Sequence, residues 1–437
     1  MNSLPEFHFL KLNESILTDP YPYFALLREQ APVHREPDFG VHIVSRYDDV
    51  VDVNRRPEDF SNVDIGAAPF RALPAPLDEM PAWRDAQRYA DRLITNDPPE
   101  HTRYRKVINR LFTPRRVAAL EPRIRELANE LIDEFIDCGE VEFVSQYANL
   151  LPRMVVSELL GVPRDDAATL KDHFRLRSNA LRDYAGDPKA DWAIMLKAIR
   201  THRPADDLER VMGISGGQFV LDYFTDALAR RAAGEIDGDI LSELVRSEFP
   251  DGSPVPVDSI LPMVLLLYVA GGDANTTELL SNSLLVLLRY PDVERELRDE
   301  PQLVEPFVEE VLRYDSPLLG IFRVARRATS VGGVPIAKGE IVMALHASAN
   351  HDASHFADGD TFDLHRNDRQ PIMSFGFGTH FCPGAALART EGRITTSELL
   401  RRTSKLRLAN EGGRIAYMPS VIQRTPVRVD ITFDKQA

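Results

Sequence analysis

Cys382 stands in the run Phe375-Gly376-Phe377-Gly378-Thr379-His380-Phe381-Cys382-Pro383-Gly384, which leads into Ala385-Ala386-Leu387-Ala388-Arg389. A cysteine just before a helix meets free backbone N–H groups and the positive end of the helix dipole. Both lower a thiol pKa and donate weakly to sulfur, so the position suits a metal-binding thiolate. Gly376, Gly378 and Gly384 permit tight turns and a close approach of the backbone to a flat partner. A lone cysteine is more often a small buried hydrophobe. That reading leaves the spaced glycines, the histidine, the phenylalanine and the distal arginine of the same run unexplained.

Other runs carry chemistry of their own. In Asp97-Pro98-Pro99-Glu100-His101-Thr102-Arg103-Tyr104-Arg105, His101 and Arg105 lie four apart on one helix face, where two donors can meet a carboxylate. Glu310 and Arg313, in Glu309-Glu310-Val311-Leu312-Arg313-Tyr314, have the spacing of an ordinary surface ion pair worth tenths of a kcal/mol. Arg103, Arg105, Lys106, Arg110, Arg115 and Arg116 form a basic cluster on an acidic chain, a pattern that usually marks a solvated face.

Taken together these runs resemble the cytochrome P450 family in its soluble bacterial class. The cysteine run matches the family's Phe-Gly-x-Gly-x-His/Arg-x-Cys-x-Gly and continues with Leu-Ala-Arg; the others match Asp-Pro-Pro-x-His-x-x-x-Arg and Glu-x-x-Arg. The resemblance implies a haem b cofactor with Cys382 as its axial metal ligand, Phe375 beside the sulfur, Gly384 lining the cofactor and His380 facing a propionate. It places His101, Arg105 and Arg323 toward the haem carboxylates. It makes Glu310 and Arg313 a buried ion pair, with Arg366 as the candidate third member. The implied fold is mainly α with small β-sheets, the haem lying between a long distal helix and the helix of the cysteine loop.

The distal helix departs from the family pattern. Tyr268-Val269-Ala270-Gly271-Gly272-Asp273-Ala274-Asn275-Thr276-Thr277 falls where Ala-Gly-x-Asp/Glu-Thr is usual. Anchored on Ala270-Gly271, Asp273 is the acid and Ala274 replaces the threonine. Anchored downstream, one residue is extra, Ala274 replaces the acid and Asn275 the threonine. An extra helical residue is commonly absorbed as a π-bulge. Proton delivery then falls to Asn275, Thr276, a substrate hydroxyl or water, or the replacement is harmless. Otherwise peroxide use, radical coupling or desaturation displaces ordinary O2 chemistry, or the chain is a non-catalytic haem protein.

Elements must hold these residues in place. Apolar spacing from Pro114 to Leu160 predicts amphipathic helix, with further helices over Phe219–Ala233, Pro262–Tyr290 and Leu303–Tyr314. Short strands are expected at Val41–Ser45, around Val331–Val342, and at Val427–Phe433, where alternate residues are apolar. No linker or repeat divides the 437 residues, so one haem domain over 1–437 is expected. Lys and Arg number 52 against 67 Asp and Glu, a net charge of −15, which argues against nucleic acid. Two cysteines make no disulfide framework and suit a reducing cytoplasm. The first residues hold no signal core, and Leu261–Ala270 falls short of the about 20 apolar residues of a membrane span.

The chain has neither a Gly-x-Gly-x-x-Gly fingerprint nor a ferredoxin-type cysteine cluster. Electrons are therefore expected from a separate ferredoxin and ferredoxin reductase, with NAD(P)H used only indirectly. The basic cluster is a candidate docking face for that acidic ferredoxin. By family position the substrate walls include the stretch Ile65 to Ile94, Val269 with the helix to Ala274, Leu318, Leu319 and Ile321, and Val421 and Ile422. These are chiefly apolar and imply a small hydrophobic molecule as the partner of O2. Tyr184 to Gln218 is a candidate lid over substrate entry, or a solvated insertion.

Overall fold

Thr113 begins the helix that follows the basic run: its hydroxyl accepts from the N–H of Arg116 and Pro114 fills the first helical position, where no N–H is needed. Val117, Ile124, Leu127, Ala128, Leu131 and Ile132 then form one buried stripe. The computed structural model describes residues 14–436 apart from 38–39, 63–92, 168, 171–214, 273–274, 368–369, 411 and 419. The helices that bear on the site are α1 (Tyr21–Gln30), α2 (Tyr47–Arg55), α3 (Glu100–Asn109), α4 (Pro114–Asp133), α5 (Leu151–Leu160), α6 (Ser215–Ala232), α7 (Val257–Gly272), α8 (Asn275–Arg289), α9 (Val304–Tyr314), α10 (His346–Ala349) and α11 (Ala385–Arg402).

Three small sheets accompany them among the described residues. A five-stranded sheet has the order β1 (Val33–Arg35), β2 (His42–Val44), β8 (Ile341–Ala344), β5 (Ile321–Ala325) and β3 (Phe60–Ser61), with β2 and β8 parallel and the other pairs antiparallel. β4 (Glu140–Glu142), β10 (Asp430–Lys435) and β9 (Thr403–Leu408) make a second sheet, and β6 (Thr329–Val331) and β7 (Val334–Ile336) a hairpin. The whole is mainly α with small sheets.

The expected helix over Pro114–Leu160 is not continuous. It stops at Asp133, passes through β4 and a π-helical turn at Val144–Ala148, and resumes as α5. Gly139 lies at φ +71° and β4 is drawn out of the helical course by antiparallel pairing with β10, a contact that local spacing does not encode. The last strand begins at Asp430 rather than Val427, because its register is set by pairing to β4 and β9. A π-bulge expected in the distal helix would fall at 273–274, outside the described residues; the described π turn is the one at Val144–Ala148.

The helical stretch Val257–Arg289 is long and apolar enough, by length and composition, to cross a membrane. In the fold Thr276 to Leu287 is buried, with α8 packed against α9 and α11. Apolar residues all round a helix are also what a core helix requires. Where α11 crosses α9, a Cβ on Gly392 would stand 3.1 Å from a methyl of Val308, so glycine lets the two helices close together under the cysteine loop.

Candidate active site around Cys382

The Cys382 loop is tied into a compact ring before α11 begins. Cys382 N–H donates to Phe375 O at 2.9 Å, Gly376 N–H to Met373 O at 2.8 Å and Phe381 N–H to Gly378 O at 3.1 Å. Gly378 takes φ +71°, and a Cβ there would stand 2.8 Å from the carbonyl oxygen of Asn54 on α2. Gly378→Ala combines backbone strain with that clash and is expected to cost about 1–3 kcal/mol. Thermal melting and cofactor retention check this against Thr379→Ala, an exposed neighbour; equal behaviour of the two variants would remove the steric account.

Around the sulfur, the backbone N–H of Gly384 donates to the thiol, and the charges of Arg105 and Arg389 favour the thiolate. The sequence suggests a lowered pKa, but burial is the larger effect and pushes the Cys382 thiol above its ordinary value. A coordinating metal reverses this, because a bound thiol is deprotonated outright. Phe375 packs beside the loop under the guanidinium of Arg389, 4.5 Å from its ring centre, and Arg389 is held by Glu309.

His101 and His380 are brought together, their ring centres 4.1 Å apart. Asp97 fixes the approach to α3: its carboxylate accepts from Ser61 Oγ and, at 2.8 Å, from Asn62 N–H, and its carbonyl accepts from His101 N–H at 2.9 Å. Burial and then the charge of Arg105 push His101 down to about 4; burial, then His101, Arg323 and Arg105, push His380 down to about 2. Burial thus disfavours the imidazolium form of both rings, and an anionic partner would favour it. Arg323 on β5 is fully enclosed and its guanidinium is pushed down to about 10 by burial.

Arg105 lies near enough to His101 and His380 for its charge to act on both. Its guanidinium donates to the carbonyl of Phe381 and, at 2.7 Å, to Asn109 Oδ1, so it also clasps the cysteine loop. The basic cluster is also thinner than it reads in sequence. Arg103 is engaged by Asp251, by Glu100 and by the ring of Phe249, and Arg116 by Glu243, leaving Lys106, Arg110 and Arg115 as its exposed members.

Glu310 and Arg313 are buried and joined by two hydrogen bonds of 2.8 Å, and Arg366 Nε adds a third contact to Glu310 at 3.1 Å. Arg313 also donates to the carbonyls of Asn350, Gly359 and Thr361. Asn350 in turn holds Met373 N–H and Ser374 Oγ, the residues that open the cysteine loop.

Asp273 and Ala274 lie outside the described residues, and Val269 falls in α7. Asn275 is exposed and accepts from Gln423 Nε2 at 3.3 Å, while Thr276 is buried. The segments carrying Leu318 and Ile422 are joined: Leu319 N–H donates to Ile422 O at 2.7 Å, and Leu318 pairs with Gln423. Leu318 and Ile321 are partly exposed and Ile422 exposed, whereas the side chain of Leu319 packs into the core with Phe24 and Phe322, and Val421 packs against that core. Of the stretch Ile65 to Ile94 only Leu93 and Ile94 are described, and Tyr184 to Ile214 lies outside the description.

Asn54 and His346 escaped the sequence reading. Asn54 Oδ1 accepts from Arg323 at 3.1 Å, and its amide nitrogen lies 3.2 Å from His346 Nε2. Nothing in their own neighbourhoods marks them, since they are remote in sequence and become unusual only by being buried polar groups.

The donor set fits a haem. Both ring nitrogens of His101 and Nε2 of His380 are buried without a hydrogen-bond partner among the described residues, and the cationic Arg323 lies close by. Buried polar atoms are nearly always satisfied, and acidic groups on a bound molecule would satisfy these. Comparison with known proteins agrees. The family model for Cytochrome P450 matches residues 239–411. The chain is 34% identical to the vitamin D(3) 25-hydroxylase of Pseudonocardia autotrophica, covering 95% of this chain and 94% of that one. It is 32% identical to the 6-deoxyerythronolide B hydroxylase of Saccharopolyspora erythraea, covering 96% and 98%. The solved structure of Mycobacterium marinum cytochrome P450 CYP150A6 in the substrate-free form superposes with a TM-score of 0.80 at 34% identity, over 97% of this chain and 98% of that one. With the thiolate loop, its buried donors and its bracing ion pair in one place, the chain belongs to the cytochrome P450 family and is a haem-dependent monooxygenase.

Proposed function

We propose that this protein is a cytoplasmic monooxygenase, a single haem domain over residues 1–437, that inserts one atom of O2 into a small, largely apolar molecule. Its electrons come from NAD(P)H through a separate ferredoxin reductase and ferredoxin. The observation that carries the reading is the pairing of a closed cysteine loop with buried ring nitrogens on His101 and His380 that have no partner among the described residues. Relatives named for hydroxylation of vitamin D(3) and of 6-deoxyerythronolide B support hydroxylation as the reaction.

Cys382 would hold haem b by its sulfur, and His101, His380 and Arg323 would receive its carboxylates. The haem, when bound, supplies oxygen activation and oxygen transfer. The chain's own residues do the rest. Arg105 secures the cysteine loop through the Phe381 carbonyl. Leu318, Ile321 and Ile422 offer apolar surface to the substrate, and the hydrogen bonds between their segments keep that surface together. The exposed Lys106, Arg110 and Arg115 give the electron donor a positive landing site on an otherwise acidic protein.

Protons for the reaction come by way of Asp273, Asn275, Thr276, a substrate hydroxyl or water. Asn275, held by Gln423, can orient a water that carries the proton, and Thr276 contributes a hydroxyl one residue on. Asn275→Ala and Asp273→Asn are each expected to lower the product formed per NAD(P)H consumed several-fold. If both leave coupling and rate unchanged, neither group carries protons. The reaction itself is tested by supplying a surrogate ferredoxin, its reductase and NAD(P)H to the haem-loaded chain with a library of apolar compounds. Oxygenated product dependent on all three establishes the reading; product with hydrogen peroxide alone, and none with the electron donors, replaces it.

A further inference from the structure

The amide of Asn54 fixes the proton on His346. Arg323 can only donate, so the Asn54 atom facing it is the oxygen, at 3.1 Å. The NH2 group therefore points the other way, with one hydrogen to Val50 O at 2.8 Å and the other toward His346 Nε2 at 3.2 Å. His346 Nε2 must accept, which makes His346 neutral with its proton on Nδ1. Burial and then the charge of Arg323 push His346 down to about 3, in keeping with the neutral ring. The side chain is fully buried, and Nδ1 has no hydrogen-bond partner among the described residues. A buried N–H donor is costly to leave unsatisfied, so the site is built for an acceptor that the described residues do not provide.

The neighbourhood says what that acceptor is. Arg323 lies on β5, opposite Val342 of β8, and His346 follows two residues after the end of β8. Asn54 ends the same cluster on α2, and its own carbonyl lies close under Gly378 of the cysteine loop. A buried guanidinium beside an idle N–H favours an anionic oxygen over a neutral one. We propose that His346, oriented by Asn54, donates its Nδ1 proton to a carboxylate of the bound haem alongside Arg323, as a binding residue that no sequence motif marks. This rests on the haem site proposed above, and it assigns the Asn54–His346 pair a task that sequence reading would leave to ordinary core packing.

The test compares two porphyrins on the full chain: zinc protoporphyrin, which carries both carboxylates, and its dimethyl ester, which carries neither as an anion. Release into an excess of a haem scavenger is timed for the wild type, His346→Leu and His346→Gln. Loss of one hydrogen bond to a charged acceptor should make His346→Leu release the free acid roughly tenfold faster or more. With the ester, wild type and His346→Leu should release at the same rate. Glutamine keeps both an acceptor for Asn54 and an N–H, so it should restore most of the retention. Equal release of the free acid by all three proteins overturns the proposal. So does an equal acceleration with acid and ester, which would show lost packing or a bound water in place of the carboxylate.

The wild type gives a second reading that no misfolded variant can spoil. Nitrogen-15 spectra of its histidines with zinc protoporphyrin should show a Nδ1–H tautomer for His346, with a proton resonance that moves when the ester replaces the acid. A Nε2–H tautomer, or a resonance indifferent to the exchange, overturns the assignment. Failure of the wild type to bind any porphyrin overturns the haem site along with it. Normal binding without the acid-against-ester contrast overturns the role of His346 alone.

Discussion

Cys382→Ser abolishes the Soret band that marks a thiolate-ligated haem in the reduced, carbon monoxide-treated protein, and Cys138→Ser leaves it intact. Both cysteines are free thiols, so the contrast isolates position rather than chemistry. Cys138 is exposed after α4, far along the chain from the glycine loop. Cys382 is held by its own backbone bond to Phe375 O, receives the Gly384 N–H on sulfur and is flanked by Arg105 and Arg389. These partners stabilise negative charge on one atom. Burial works against that charge, and the free thiol is consequently raised rather than lowered. Burial thus opposes the anion in the free thiol, and coordination would make it favourable where it sits. Serine keeps the size and the hydrogen-bonding capacity but has no comparably accessible anion, so haem bound by the variant lacks the sulfur signature and turnover falls to background. A thiolate-type band in Cys382→Ser, or its loss in Cys138→Ser, would falsify the assignment of the ligand.

Sequence reading succeeded where chemistry is written within a few residues. The cysteine loop, the α3 entry and the Glu310–Arg313 run are all local and lie on the elements expected for them, although the spacing of that pair alone reads as a surface contact and the fold buries it. It failed where a distant element decides the outcome. The stretch after Asp133 leaves the helix because β10, almost three hundred residues later, pairs with β4. Arg103 and Arg116 read as free charge, but their acids come from residues 251 and 243. The direction of the Cys382 shift depends on how deeply the loop is covered, a quantity that residue types do not carry. Asn54 and His346 are invisible for the same reason: each is an unremarkable polar residue until the fold seals both against Arg323.

Glu310→Gln destabilises the protein by about 3–5 kcal/mol, because it leaves Arg313 without its carboxylate in a buried ion pair, and Arg313→Lys, which keeps the charge but loses the guanidinium fork, destabilises it in the same direction. The side chains are 4% and 1% exposed, too little for water to replace the lost partner. Arg313 does more than pair with Glu310. Its fork also holds the carbonyls of Asn350, Gly359 and Thr361, which a lysine ammonium cannot satisfy in the same geometry. Glu310 likewise accepts from Asp363 N–H at 2.9 Å and from Arg366, so the neutral amide takes the charge out of four hydrogen bonds and keeps only one oxygen to accept them. Replacing the pair by apolar residues should not rescue stability, since the carbonyls of the meander would still lack donors. Damage then travels by a defined route: Asn350 positions Met373 N–H and Ser374, and Ser374 Oγ bonds Leu312 O at 2.5 Å, immediately before Phe375. Haem retention should fall together with stability. Glu309 provides the internal control. It pairs with Arg389 at the protein surface, where the two side chains are 41% and 32% exposed, and Glu309→Gln should cost no more than about 1 kcal/mol. Denaturant unfolding of the haem-loaded proteins, with Soret absorbance followed beside far-ultraviolet dichroism, measures both effects at once. Equal midpoints for the Glu309 and Glu310 variants would show that the buried pair does not brace the cysteine loop.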